Sequence, residues 1–159
     1  MSYVADKIIK NPKYKVTTHT SKQTSSASAN TGTVLTGSEI TYTPIPNATK
    51  VVYEIMFYAE MIDQNSFTSY YLEQYVSGSW SDIDSKFRRN LGLSGSDQRM
   101  RYCVKFRFVL PAWTGERQLR ISLGSYANNM EIDLHQLTHW DGSTATDQFC
   151  NTNLLVYSI

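Results

Sequence analysis

The longest alternation of apolar and polar residues in this chain covers residues 100–110. A period of two residues predicts a β-strand that buries one face and exposes the other. Pro111 and a turn sequence containing Gly115 follow, and residues 118–123 then alternate again. We expect these two runs to pair with each other as a long β-hairpin with a polar outer face.

Shorter runs with strand character occur on both sides of this hairpin. They cover residues 39–43, 51–58, 68–76, 80–83, 130–134 and 154–159. Residues 77–79 form a tight turn that predicts a second hairpin, whereas the polar residues 84–98 predict a connecting loop. At His135 the last alternation changes phase, which indicates a bulge or a strand end.

The run at residues 51–58 is apolar at both parities, so it needs cover on both of its faces. That cover comes either from a second sheet or from a neighbouring subunit. About eight short strands with frequent turns and no long amphipathic helix suit two packed sheets better than a propeller. The sequence therefore predicts an all-β fold, a two-sheet antiparallel jelly-roll sandwich.

Residues 1–33 differ in composition from the rest of the chain. Their five lysines face a single acidic residue, Asp6, and residues 17–33 contain no large apolar side chain. Such a stretch cannot bury enough surface to offset the entropy that it loses on ordering. We therefore predict a flexible or extended, mildly basic N-terminal arm over residues 1–33, followed by the jelly-roll domain over residues 34–159.

The arm also carries apolar side chains that a simple spacer does not need. They are Tyr3, Val4, Ile8, Ile9, Tyr14 and Val16. These side chains favour an arm that becomes ordered on a partner or on neighbouring subunits. The alternative is a disordered tail without a role.

The overall composition narrows the kinds of partner and location that we expect. Of the 159 residues, 41% are hydrophobic and 18% are charged, and the net charge is +1. A charge this close to neutral argues against nucleic acid as a partner. No apolar run is long enough for a transmembrane helix, and the first residues lack the apolar core of a signal peptide. We therefore expect no membrane partner and synthesis in a cytoplasm.

Residues that carry catalytic or metal chemistry are few and widely spaced. His135 and His139 lie about 13 Å apart on an extended chain, too far to share a metal ion unless the loop folds back. No nucleophile, zinc or phosphate-loop motif occurs in the sequence. We expect no enzyme activity, no metal and no cofactor, and we expect the histidines to be exposed or hydrogen-bonded surface groups.

The two cysteines, Cys103 and Cys150, leave two alternatives open. They can form a disulfide if the strands that carry them are neighbours. Synthesis in a cytoplasm favours reduced, half-buried thiols instead.

Two groups of surface residues are candidates for binding. The basic residues of the longest strand share one parity: Arg99, Arg101, Lys105 and Arg107. We expect a solvated face on which these cations pair across strands with Glu54 or Glu116. The alternative is an interface with an acidic partner.

Two tryptophans in predicted loops form the second group. Trp113 follows the longest strand, and Trp140 lies near the C-terminus with Asp141 directly after it. Indole rings present a large apolar face with a polar edge, which suits stacking on a sugar. Trp113, Trp140 and Asp141 are therefore the candidates to face a ligand. The alternative is that the aromatic rings belong to the core or to a contact between subunits.

Three stretches carry a resemblance to a known class of proteins. Residues 109–120 read VLPAWTGERQLR, residues 139–142 read HWDG, and residues 51–54 read VVYE. Together with the terminal strand at residues 154–159, they resemble the virion structural proteins of marine tailed phages, especially cyanophage-type podoviruses. The resemblance covers residues 33–159. It implies a compact jelly roll similar in shape to tumour necrosis factor, assembled as a trimer on the particle and without catalytic residues.

The resemblance and the residue patterns give a first hypothesis about function. The chain is a phage virion structural protein, a trimeric head decoration or knob protein that is made in the host cytoplasm. Its N-terminal arm anchors it to the major capsid protein or to another virion protein. The residues expected to make this anchor are Tyr3, Lys7, Lys10, Lys13 and Lys15.

The second hypothesis is a carbohydrate-binding module of a tail or surface-associated protein. Such a module recognises host-surface glycans through Trp113, Trp140 and neighbouring loop residues. The two hypotheses overlap, because a decoration protein can also contact a host.

Overall fold

The computed structural model describes residues 9–25, 32–61, 67–89, 100–125, 132–137 and 148–159. These residues form thirteen strands. The first seven are β1 (Lys10–Thr17), β2 (Gln23–Ser25), β3 (Thr33–Val34), β4 (Ile40–Tyr42), β5 (Lys50–Met61), β6 (Phe67–Val76) and β7 (Ser79–Arg89). The other six are β8 (Met100–Pro111), β9 (Arg117–Ser125), β10 (Ile132–Leu134), β11 (Gln136–Leu137), β12 (Gln148–Phe149) and β13 (Thr152–Ser158). None of the described residues lies in a helix that could cross a membrane.

Sheet A is built around β5. One edge of β5 pairs with β8 along its whole length, from Lys50 opposite Pro111 to Met61 opposite Met100. The other edge pairs first with β13 and then with β10. Strand β1 adds to the outside of β13, and β2 adds to the outside of β10. All of these pairings are antiparallel, so sheet A spans the full width of the molecule.

Sheet B is built around β9. Strand β6 pairs with one edge of β9, and the short strands β3 and β4 pair with the other edge. Strand β7 completes this sheet on the outside of β6. Consecutive strands thus pass repeatedly between sheets A and B, which is the strand order of a jelly roll. The predicted all-β, two-sheet antiparallel jelly-roll sandwich is confirmed.

The hydrophobic core lies between the inner faces of the two sheets. Every second residue of β5 from Val51 to Ala59 is buried there, as the two-residue period of a strand requires. Aromatic rings join the layers, because the ring of Tyr70 on β6 lies 4.9 Å from that of Phe106 on β8 and 5.7 Å from that of Phe57 on β5. These tilted contacts fix the spacing of the sheets at the centre of the core.

The two long alternating runs do not pair with each other. Strand β8 belongs to sheet A and pairs with β5, whereas β9 belongs to sheet B. The predicted long hairpin is therefore wrong. The reason is that both runs bury one apolar row, and these rows, including Phe108 and Ile121, face each other across the core. The chain crosses from one sheet to the other after Pro111.

The second predicted hairpin is confirmed, with a longer second strand. Strands β6 and β7 pair directly, and the two residues between them, Ser77 and Gly78, have φ values of 54° and 89°. Two successive positive φ values are typical of a type I′ turn, whose twist matches that of the strands. Strand β7 continues to Arg89, so residues 84–89 are not the loop that their polar sequence predicted.

Sheet A includes residues that precede the predicted domain boundary at residue 34. Strands β1 and β2 lie within residues 10–25 and pair with β13 and β10. Within the predicted arm, β1 is extended, which is one of the two predicted alternatives. It pairs with β13 as an edge strand of the sandwich. All eight residues of β1 are exposed or half-buried, which explains why composition did not mark it as part of the domain.

The inner row of β8 should carry most of this strand's contribution to stability. Phe108 is fully buried, whereas its neighbour Val109 is 49% exposed on the opposite face. We expect Phe108→Ala to lower the free energy of unfolding by about 3–5 kcal/mol, because it leaves a cavity in the core. The matched Val109→Ala variant should lower it by less than about 0.5 kcal/mol. Urea denaturation of the two variants measures the difference, and equal losses would contradict this assignment of faces.

Candidate functional site

A cleft of about 520 Å³ opens at one end of the sandwich. Residues 43–48, which connect β4 to β5, form one wall, and residues 112–115, which connect β8 to β9, form the other. Among the described residues, no charged side chain lines it. A neutral, partly apolar cleft of this size suits a small uncharged ligand or a short polymer segment.

Local backbone chemistry shapes both walls. Pro44 and Pro46 have no N–H to donate, so they cannot extend the β4 ladder. Asn47 (φ 65°) and Gly115 (φ 82°) turn the chain back in the two walls, and both residue types tolerate a left-handed backbone. The Ala112 N–H donates to the Thr49 carbonyl oxygen at 3.2 Å, which fixes the two connections to each other.

Trp113 lies in the wall of this cleft and is held there by two neighbours. Its ring meets Tyr42 edge-on, with ring centroids 6.4 Å apart, and the Arg117 guanidinium lies 5.1 Å from its ring centroid. The indole Nε1 is buried and has no hydrogen-bond partner among the described residues. The structure therefore places one predicted ligand-facing residue at the cleft, in a fixed orientation.

Two of the lysines expected to anchor the arm make contacts within the chain. Lys13 Nζ donates to the Thr41 carbonyl oxygen at 2.9 Å, and Lys15 Nζ donates to the Glu39 carbonyl oxygen at 2.8 Å. The two acceptors lie in β4 and directly before it, at an edge of sheet B. These lysines thus join the open edges of the two sheets. Lys10 is exposed at the start of β1.

The solvent-facing side of sheet A, here called the outer A face, carries half of the exposed large apolar side chains among the described residues. These four of the eight are Tyr14, Val16, Met56 and Val109. Strand register places Tyr14 beside Leu155, and a shallow groove of about 170 Å³ runs between these side chains. The face is therefore a continuous surface that spans four neighbouring strands.

Charges on the outer A face are largely neutralised within the chain. Arg107 Nε lies 3.0 Å from Glu54 Oε1, and the Tyr157 hydroxyl donates to the same carboxylate at 3.2 Å. The predicted cross-strand pairing of the basic row with Glu54 is confirmed for Arg107. Arg101 pairs with Glu60 at 3.1 Å instead. Cys103 lies exposed on this face, and both it and Cys150 are free thiols.

Several predicted site residues lie outside the described part of the chain. They are Tyr3, Lys7, Trp140 and Asp141. The sequence placed Met56 in a run that needs cover on both faces, and the structure leaves this side chain exposed on the outer A face. Sequence reasoning missed Val109 as an exposed apolar side chain of this face. The available signal was its parity, since Val109 is apolar on the face of its strand that carries the basic row.

Comparisons with known proteins give distant structural likenesses only. No protein-family model and no curated protein matches the sequence. The chain is similar to the structure of Eiger TNF from S. frugiperda, with a TM-score of 0.44 and 11% identity over 92% of this chain and 91% of that one. It is also similar to a chain in the structure of infectious bursal disease virus Gx strain, with a TM-score of 0.41 and 11% identity over 99% of this chain. It spans 42% of the length of that viral chain. Likenesses this distant carry no argument about function.

Proposed function

We propose that this chain is a structural protein of a virus particle that associates with further copies of itself through the outer A face. The observation that carries the proposal is the set of exposed apolar side chains on one sheet face, Tyr14 and Val16 of β1, Met56 of β5 and Val109 of β8. Polar and charged side chains lie between them, which is the mixed composition of a contact surface between separately folded chains. A second copy of the chain is an occupant that suits a flat sheet face, because most oligomers of this kind are symmetric assemblies of one chain.

The charge pattern supports coverage of this face. Glu54 and Arg107 already neutralise each other. A neighbouring copy that covers them therefore leaves no unpaired charge buried in the contact. Lys105 lines the groove and has no carboxylate partner among the described residues. A carboxylate from the neighbouring copy fits next to it and would set the orientation of the contact.

The finer proposal is a trimeric head decoration or knob protein of a tailed phage. It rests on the sequence resemblance over residues 33–159. In this proposal Tyr3 and Lys7 contact the major capsid protein or another virion protein, whereas Lys13 and Lys15 serve the chain's own edge contacts. Three copies then present three anchors to one particle, which raises the effective affinity without any further contact.

Self-association should be sensitive to charge on the outer A face and insensitive to charge elsewhere. Met56 and Val76 are both 40% exposed, the first on the outer A face and the second at the tip of the β6–β7 hairpin. We expect Met56→Arg to weaken association by more than about tenfold, because the new charge is desolvated in the contact. Val76→Arg should leave association unchanged. Light scattering on a sizing column gives the masses, with about 54 kDa expected for a trimer of 18.1 kDa chains.

Two results would count against this proposal. A native chain of 18.1 kDa at every concentration tested would exclude self-association. A Met56→Arg variant that keeps the full oligomer mass would place the contact on another surface.

The second candidate function is recognition of a host-surface glycan. The observation that favours it is the uncharged cleft of about 520 Å³ with the Trp113 ring in its wall. A fixed indole face beside an open cleft offers a stacking surface at little entropic cost.

A pair of tryptophan variants tests glycan recognition. Trp80 provides the control, since it lies on the outer side of sheet B under the Arg120 guanidinium, 3.8 Å from its ring centroid. If the cleft binds a glycan, Trp113→Ala should lower the affinity by about tenfold or more, whereas Trp80→Ala should leave it unchanged. A glycan panel followed by calorimetry measures both. The absence of any binding across a broad panel would eliminate this candidate.

A further inference from the structure

Two histidines far apart in the sequence stack on each other inside the protein. The His19 and His135 rings lie 3.7 Å apart between centroids and 3° from parallel. His19 belongs to the connection between β1 and β2, and His135 belongs to the bend between β10 and β11. His135 is fully buried and His19 is 9% exposed. The expectation that these histidines are surface groups is wrong for His135.

The hydrogen bonds around the pair fit two neutral imidazoles. His135 Nε2 lies 3.4 Å from Gln23 Oε1, an oxygen that can only accept, so Nε2 carries the proton. In a neutral ring His135 Nδ1 is then an acceptor, and it lies 3.3 Å from the Thr152 hydroxyl. That hydroxyl accepts from His19 Nε2 at 2.9 Å. Its own proton is shared between His135 Nδ1 and the Thr36 carbonyl oxygen, which lies at 3.4 Å.

Two backbone hydrogen bonds and a left-handed backbone conformation hold His135 in this position. Its N–H donates to the Tyr58 carbonyl oxygen at 2.9 Å, and its carbonyl oxygen accepts from the Cys150 N–H at 2.7 Å. Its φ of 69° lies in the left-handed region, which few side chains favour. The bend therefore turns the imidazole into the interior at the point where the alternation changes phase.

Charged groups near the pair are committed to other partners. On β10, Asp133 binds Lys22 at 2.9 Å and the Thr24 hydroxyl at 2.7 Å. On β5, Glu60 pairs with Arg101 of β8. After β12, burial raises the pKa of the Cys150 thiol, which keeps that group neutral, and Cys103 of β8 raises it further.

A proton on either ring is therefore unfavourable. Burial lowers the pKa of His19, and burial together with the nearby His19 lowers the pKa of His135 to about 3. Neither shift is offset by a facing carboxylate, so the closed arrangement binds fewer protons than an open one.

The segment that carries His19 lies at the edge of sheet A, and side-chain contacts hold much of it, including the Ser25 hydroxyl, which donates to the Thr33 hydroxyl at 3.0 Å. Strand β2 pairs only with three residues of β10, and apart from His19 only Ser25 is buried among residues 18–25. Gln23 adds hydrogen bonds to the Val34 carbonyl oxygen at 2.6 Å and from the Thr36 N–H at 2.9 Å. Releasing this segment exposes both rings while leaving the core between the two sheets intact, so it costs less than global unfolding.

We propose that the stacked pair of His19 and His135 is an acid-sensitive latch, which holds residues 18–25 against the sandwich at neutral pH and releases them in mild acid. The segment that the latch holds belongs to this chain and consists of residues 18–25, which are the connection after β1 and strand β2. The proposal of this latch does not rest on the proposed oligomer or on the cleft.

The pH range follows from the direction of the shift. The pKa of His135 in the folded protein is about 3 and the ordinary pKa of histidine is 6.5, so the open state takes up a proton first as the pH falls. The latch is therefore fully stable above 6.5 and weakens between 6.5 and about 3. Between about pH 7.5 and about pH 5, protonation of His135 alone should shift the equilibrium between the closed and open states toward the open state by up to about 30-fold. This factor corresponds to about 2 kcal/mol at 1.36 kcal/mol per tenfold.

Hydrogen exchange of the full-length protein tests the latch, with rates corrected for the intrinsic effect of pH. Protection of residues 18–25 should fall by up to about 30-fold between about pH 7.5 and about pH 5, while β13 stays protected. No loss in residues 18–25 would overturn the proposal. An equal loss in β13 would also overturn it, because the acid response would then be global unfolding.

Variants separate the histidines from the rest of the segment. In the double variant His19→Gln/His135→Asn the pH dependence should disappear, and asparagine is suited to the left-handed backbone at this position. Lys22→Gln is the matched control, because it removes the contact with Asp133 and leaves both rings in place. It should lower protection at both pH values and keep the pH dependence. A pH dependence that persists in the double variant would overturn the proposal.

A measurement on the native chain keeps the test valid if the double variant fails to fold. Nitrogen-15 NMR of the imidazole rings follows each protonation directly. A His135 ring that stays neutral well below pH 6.5 until residues 18–25 open supports the latch. Ordinary titration near 6.5 in the closed state would overturn it.

Discussion

Strand β5 is hydrogen-bonded along both edges, to β8 on one side and to β13 and β10 on the other. This double pairing fixes its register, and with it the register of sheet A. A slip of one residue would turn Tyr53 and Ile55 toward solvent and carry Glu54 into the core. The large energetic difference between these two arrangements explains why a strand with apolar residues at both parities still adopts one orientation.

The outer A face is a consequence of the same constraint. Once the odd-numbered residues of β5 fill the core, its even-numbered residues must lie on the other side of the sheet. Val52 is covered there by its neighbours, whereas Met56 is not. The edge strand β1 extends this face with Tyr14 and Val16 and secures itself through lysines that reach the carbonyls of β4. Pro12 and the lysines also protect the outer edge of β1 against uncontrolled pairing with other strands.

The latch and the outer A face meet in one segment of chain. Strand β1 supplies Tyr14 and Val16 to the face, and the latch begins two residues after β1 ends, at His19. Release of residues 18–25 therefore removes the anchor at one end of β1, although its pairing with β13 remains.

The sequence by itself determined most of the long strands and their buried rows, because the two-residue period is a local property that each segment carries alone. It did not mark β1, β2 or the second half of β7, whose residues are mostly polar. It marked Phe108 and Ile121 as core residues, placed Trp113 in a connection between strands, and located the irregularity at His135. Only the tertiary structure decided which strands pair, so β8 and β9 separated into two sheets although their patterns suited a hairpin. It also decided that Lys13 reaches β4 and that His19 stacks on His135. Such contacts join distant segments, and local periodicity cannot specify them, because they arise only when the two sheets close over one core.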